Sequence, residues 1–167
     1  MRVLHWTLAA AVATAWLAAD YQSTHQAAGY VALAAVGSRL LWGVAGGRHA
    51  RFGEFVRGPR HTLRYASAVL RRCEPRHLGH NPLGAWMVVA LLACVVAVAA
   101  SGWLYTTVRY WGDPGVEALH GALAWALLGL VVVHLAGVAY TSLRHRENLA
   151  AAMLSGNKRA SRSEDAA

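Results

Sequence analysis

Val116-Glu-Ala-Leu-His120-Gly-Ala-Leu-Ala-Trp-Ala-Leu-Leu-Gly-Leu-Val-Val-Val-His134-Leu-Ala-Gly-Val-Ala-Tyr-Thr141 is the most informative stretch of the chain. It carries one acidic residue, no lysine or arginine, and two histidines. At 1.5 Å per residue it exceeds the roughly 30 Å of a bilayer's hydrocarbon core. Its apolar residues form a block rather than a stripe, which argues for a solvent of lipid rather than one soluble core. The two histidines are 14 residues apart. On a helix that separation is about 21 Å along the axis and within about 40° of a whole number of turns. One helix therefore presents two imidazoles on the same side, one near each membrane surface.

Three more apolar blocks precede this one. The four spans are expected at about 3–20, 24–44, 83–108 and 116–141, with the first barely long enough. Of the 167 residues, 56% are hydrophobic and 14% charged. Soluble domains carry about a quarter charged residues. The reading is an all-α integral membrane protein, a four-helix bundle forming one domain over 1–158, followed by a polar disordered tail at 159–167. The first block resembles a secretory leader only superficially, because His5 and Trp6 stand where its apolar run would begin.

The net charge of +8 comes from arginines placed between and after the blocks. Arg48, Arg51, Arg57, Arg60, Arg64, Arg71, Arg72 and Arg76 lie between blocks two and three. Arg144, Arg146, Lys158, Arg159 and Arg162 follow block four, and Arg2 precedes block one. The other side has Arg109 beside Asp20, Asp113 and Glu117. The excess of basic residues marks the cytoplasmic side, so both termini and the long loop are expected in the cytoplasm of a bacterial inner membrane protein. Topology accounts for the charge, and no nucleic-acid partner is implied. Within the long loop, Pro59 suits a first helical position, and Leu63, Ala66 and Leu70 recur at helical spacing among arginines. That describes an amphipathic helix on the inner membrane face, anchored to anionic lipid. Cys73 and Cys94 should sit at different depths and stay unpaired. Trp6, Trp42, Trp103 and Trp111 fall near span ends, where aromatic belts form.

Ionisable residues inside spans are costly and by default suggest function. His5 starts helix one at the inner surface, and His25 starts helix two at the outer surface. His120 is outer and His134 inner on helix four. Depth thus pairs His5 with His134 and His25 with His120, each pair drawn from two helices. Neutral imidazoles so placed suit the two faces of a flat iron macrocycle, and bundle cores are where such cofactors sit. Bis-histidine ligation leaves no open position, so two b haems would carry electrons rather than bind oxygen. Gly29, one turn from His25, leaves room for a porphyrin. Arg39 shares the His25 face at the inner depth, where it pairs with a haem propionate or reaches lipid headgroups. His49, His61, His77 and His145 read as solvated or headgroup-facing. His80 and Asn81 enter helix three at the inner surface, either as a quinone-binding pair or as a polar cap before Pro82.

The chain resembles the prokaryotic cytochrome b561 family, and in particular the branch related to the b-type cytochrome subunit of nickel–iron hydrogenases. The matching pieces are Arg2-Val-Leu-His5-Trp6, His25-Gln-Ala-Ala-Gly29-Tyr30, Arg39-Leu-Leu-Trp42-Gly43, Ala50-Arg51-Phe52 and Phe55-Val-Arg-Gly-Pro59. Gly79-His-Asn-Pro-Leu-Gly84, Leu119-His120, His134-Leu-Ala-Gly137-Val138 and His145-Arg-Glu-Asn-Leu149 complete the set. The resemblance implies four transmembrane helices and two haems b, with ligands at His5, His25, His120 and His134. It also implies electron exchange between the quinone pool and a redox partner, such as a c-type cytochrome or a hydrogenase-like subunit. Lipid surrounds the protein, and a homodimer is compatible with the reading. Two other functions compete. A superoxide:quinone oxidoreductase needs a positive funnel at the outer face, where Arg109 has acidic neighbours. A haem-free membrane protein, a small transporter or pH-responsive assembly factor, would use the histidines for protons.

Overall fold

The computed structural model describes residues 1–47, 51–75 and 81–156. His49, His77, His80 and the expected polar tail at 159–167 lie outside the described residues. Within them the chain is helical, without strands. It forms α1 (Arg2–Leu17), α2 (Gln22–Ala45), α3 (Phe52–Phe55), α4 (Pro59–Leu70), α5 (Pro82–Tyr105), α6 (Pro114–His145) and α7 (Leu149–Ser155). Three of these, α2, α5 and α6, are long and apolar enough to cross a membrane.

The helix ends follow from local chemistry. The Asn81 Oδ1 accepts the Gly84 N–H at 2.7 Å, and Pro82 occupies the first turn, so α5 starts where the sequence suggests. It stops at Tyr105 rather than near 108. The Thr106 and Thr107 hydroxyls donate to the Trp103 and Leu104 carbonyls, each at 2.7 Å, and close the last turn. The Asp113 carboxylate accepts from Gly115 and Val116, at 2.8 and 2.9 Å, ahead of Pro114. That cap starts α6 two residues before the expected 116. Arg144 and His145 suit the negative end of the helix dipole and extend it past 141. The first helix falls short of its expected end at 20. It ends at Leu17, and a turn with Tyr21 N–H on Ala18 O, 2.9 Å, follows at once. Its 16 residues reach only about 24 Å.

One core cluster joins the long helices: Ala11 of α1, Ala32 and Val36 of α2, Leu92 and Val95 of α5, and Leu127 of α6. Its two alanines, on α1 and α2, let those helix backbones approach closely where lipid supplies no hydrophobic drive. The large apolar residues lie outside instead. Leu41, Val44, Trp125, Val132, Val133 and Leu135 are all exposed, as expected of surfaces that face hydrocarbon. Trp6, Trp42, Trp103 and Trp111 are exposed near helix ends. Cys73 and Cys94 are both free thiols.

α1 packs on α2, α5 on α6, and α2 on α5. The starts of α1 and α5 and the ends of α2 and α6 therefore share one end, called here the basic end. The other is the far end. Arg2 Nη1 donates to Leu154 O at 3.0 Å, which ties the chain's start to α7 at the basic end. There Gly43 leaves a slot that the Phe52 ring of α3 fills; any larger residue would collide with it. α4 packs against α5, and its buried residue is Tyr65. Leu63 and Leu70 are exposed, so the face α4 turns to the protein is not its leucine face.

Candidate functional site

The helix directions bring the four intramembrane histidines together in two pairs. At the basic end the His5 and His134 rings lie with centroids 6.5 Å apart. At the far end the His25 and His120 rings lie 5.9 Å apart. Each pair joins α6 to another helix, and all four residues are partly buried. A metal bound at an imidazole Nε2 sits about 2 Å from it, and so roughly 3 Å from the ring centroid. Two imidazoles on opposite sides of one iron are thus roughly 6 Å apart by centroid. Both pairs have that spacing. Among the described residues no cluster of three or more histidine, cysteine, aspartate or glutamate side chains could hold a metal ion.

The far-end pair has partners that fix its protons. His25 Nδ1 lies 2.9 Å from Ala15 O. His120 Nδ1 lies 3.1 Å from Val98 O and 3.0 Å from Ser101 Oγ. Carbonyl oxygens only accept, so in both rings Nδ1 carries a proton, and in the neutral imidazole the Nε2 lone pair is then the one available to a metal. The Ser101 hydroxyl donates to Val98 O at 2.9 Å, which leaves its oxygen lone pairs toward His120. Among the described residues, no hydrogen bond reaches the rings of His5 and His134; His5 has instead an edge contact with Trp6 at 5.4 Å.

A family model described as prokaryotic cytochrome b561 matches residues 1–156. The chain belongs to the prokaryotic cytochrome b561 family. Membership makes transmembrane electron transfer through b-type haem its functional class. No curated protein and no solved structure gives a match. The residues of this b561-family chain fit such a group. Its histidines pair across helices at ligand spacing, and a Cβ built on Gly29 or Gly137 would meet nothing within 4 Å, so space lies beside His25 and His134.

Two further residues of the cytochrome that the sequence singled out have partners. The Arg39 guanidinium lies 4.6 Å above the Phe52 ring, a cation–π contact at the basic end. Asn81 serves as the α5 cap through its oxygen, a role that does not use its amide nitrogen. At the far end, Arg109 lies 5.5 Å over Tyr110, and Glu117 accepts from the Tyr105 hydroxyl at 3.3 Å.

Three features were not read from the sequence. Gly102 is one: a Cβ there would stand 2.9 Å from His120 Cε1, so only glycine admits the ring. Nothing in an apolar run ending Ser101-Gly102 signals that, because the partner lies 18 residues away. Trp16 and Trp125 meet edge to face at 5.1 Å and pack α1 on α6 between the histidine pairs. The third is Glu74, whose side chain is 1% exposed, with Arg144 Nε at 3.2 Å. The Tyr140 hydroxyl also donates to it at 3.2 Å, and its Oε2 has no partner among the described residues. An acid standing between Arg71-Arg72 and Arg76 was the available signal. Burial, then the nearby Glu74 and Tyr140, pushes the Tyr65 hydroxyl up to about 12.

Proposed function

We propose that this chain carries electrons across the bacterial inner membrane between the quinone pool and a redox partner, a c-type cytochrome or hydrogenase-like subunit. The observation behind this reading is the two histidine pairs, at 5.9 and 6.5 Å, stacked along one helix. His5 and His134 would ligate one haem b, and His25 and His120 a second. Each haem would supply a one-electron iron couple when bound. The rest of the work belongs to the protein. α1 joins α2, α5 and α6 as the fourth member of the bundle, and the apolar helices keep water from the histidines. The 14-residue spacing on α6 sets the two sites about 21 Å apart along the axis. Gly29 leaves room beside His25, and Arg39 balances a propionate at the basic end.

The basic end is the cytoplasmic one in this reading, with both termini there. α4 rests on that membrane face, where its exposed Leu63 and Leu70 enter lipid and its arginines meet anionic headgroups. Quinone binds before α5 at the basic end, by His80 or the Asn81 amide. A reduced-minus-oxidised spectrum with a pyridine haemochrome count tests the whole reading. Two low-spin b haems per chain support it. A haem-free protein, produced with ample haem, overturns it.

A further inference from the structure

The two histidine pairs differ in what stands behind them, and the difference resides in α5. Ser101 is 5% exposed, deep for a polar side chain in a membrane helix. Its hydroxyl and the Val98 carbonyl converge on one nitrogen, His120 Nδ1, at 3.0 and 3.1 Å. The next residue, Gly102, lets the ring lie against the helix; a Cβ would come within 2.9 Å of Cε1 and 3.3 Å of Nδ1. Shape and hydrogen bonding thus specify the same ring pose. Across the pair, Ala15 O holds His25 Nδ1 at 2.9 Å. The His5 and His134 rings have no such acceptor among the described residues.

We propose that Val98, Ser101 and Gly102 form a seat that positions His120 and makes the far-end haem site the lower in potential of the two. The proposal rests on the reading that His25 and His120 ligate a haem. A ligating imidazole whose N–H is given to an acceptor becomes a stronger donor to its metal. A stronger donor favours the ferric state, so the midpoint potential falls. The surrounding charge acts in the same direction. At the far end Asp20, Asp113 and Glu117 outnumber Arg109, with Glu117 one turn before His120, and disfavour an added electron. Arg2 and Arg39 lie at the basic end and favour one, while Arg144 there is offset by Glu74. Moving an electron between the sites oxidises one iron and reduces the other by one electron, and no bond is made or broken.

Potentiometric titration of the intact protein, followed optically, tests the seat. Wild type should resolve two components. Ser101→Ala should raise the lower one and leave the upper one in place, while Ser101→Thr, which keeps the hydroxyl, should restore it. Gly102→Ala should shift the low-spin paramagnetic resonance signal of one haem or release that haem, whereas Gly53→Ala on α3, remote from this pair and with nothing within 4 Å of a Cβ, should change neither. Unshifted potentials in Ser101→Ala together with an unchanged signal in Gly102→Ala would overturn the seat, as would a shift of the upper component instead. Wild-type protein without haem would count against the ligand reading itself, a result these variants cannot mimic.

Discussion

Arg144, near the end of α6, holds the Glu74 carboxylate across a 3.2 Å contact from Nε to Oε1, joining the last membrane helix to the loop before α5. The two partners are unequally buried: Arg144 is 40% exposed and Glu74 1%. A second bond from Arg144 Nη2 reaches the Arg72 carbonyl, so one guanidinium gathers both ends of that turn.

The asymmetry sets which substitution does more harm. Arg144→Ala strands a buried carboxylate with Tyr140 as its remaining partner among the described residues. Breaking a fully buried pair costs about 3–5 kcal/mol, and the exposure of Arg144 should reduce this to about 2 kcal/mol. Glu74→Gln keeps an acceptor for Tyr140 and leaves an arginine that water can reach, so it should cost less than about 1 kcal/mol. Thermal unfolding in detergent should therefore rank Arg144→Ala well below Glu74→Gln. The opposite order would mean that Glu74 gains nothing from its partner.

How much of this was legible beforehand depends on the reach of each signal. The pairing of His5 with His134 and of His25 with His120 follows from depth, and depth follows from helix direction and a rise of 1.5 Å per residue. Asn81, Pro82 and Pro114 act within a few residues, so the starts of α5 and α6 were nearly readable. The stop at Leu17 was not, because alanine-rich sequence continues to Ala19 without a breaker. Gly102 against His120 and Glu74 against Arg144 are contacts between distant segments, set by how the helices lie side by side. No local pattern encodes them.

Tyr65 gives the fold a pH dependence at the alkaline end. In the folded protein its hydroxyl keeps its proton to about pH 12, against 10.0 for an unperturbed tyrosine. Below pH 10 both folded and unfolded states hold the proton and stability is unaffected. Between about pH 10 and 12 the unfolded chain loses the proton while the folded one retains it, so stability falls as pH rises, by roughly 2–3 kcal/mol. Tyr65→Phe should flatten that part of the curve. An equally steep fall in the variant would place the titration elsewhere.

The pairing of the histidines can be separated from their mere number by combining substitutions. If each pair holds one haem, His25→Ala with His120→Ala removes a single haem, because both act on the same site. His5→Ala with His120→Ala removes both. A pyridine haemochrome count per chain should read one in the first double variant and none in the second. Equal counts in the two would show that the ligands are shared in some other way.

Asn81 permits its two roles to be told apart, because they use different atoms. The cap uses Oδ1, which accepts the Gly84 N–H at 2.7 Å. A quinone carbonyl would need the Nδ2 donor. Asn81→Asp keeps the acceptor at a helix start, where negative charge is favourable, and removes the donor. Asn81→Ala removes both, at about 1 kcal/mol for the lost cap. Asn81→Asp should therefore melt like wild type while its KM for quinone rises about 5- to 10-fold, the equivalent of one neutral hydrogen bond of about 1 kcal/mol. Haem content should stay at the wild-type value throughout, since Asn81 caps α5 at the basic end and is none of the four histidines. An unchanged KM would assign Asn81 to capping alone and move the quinone to other residues at the basic end.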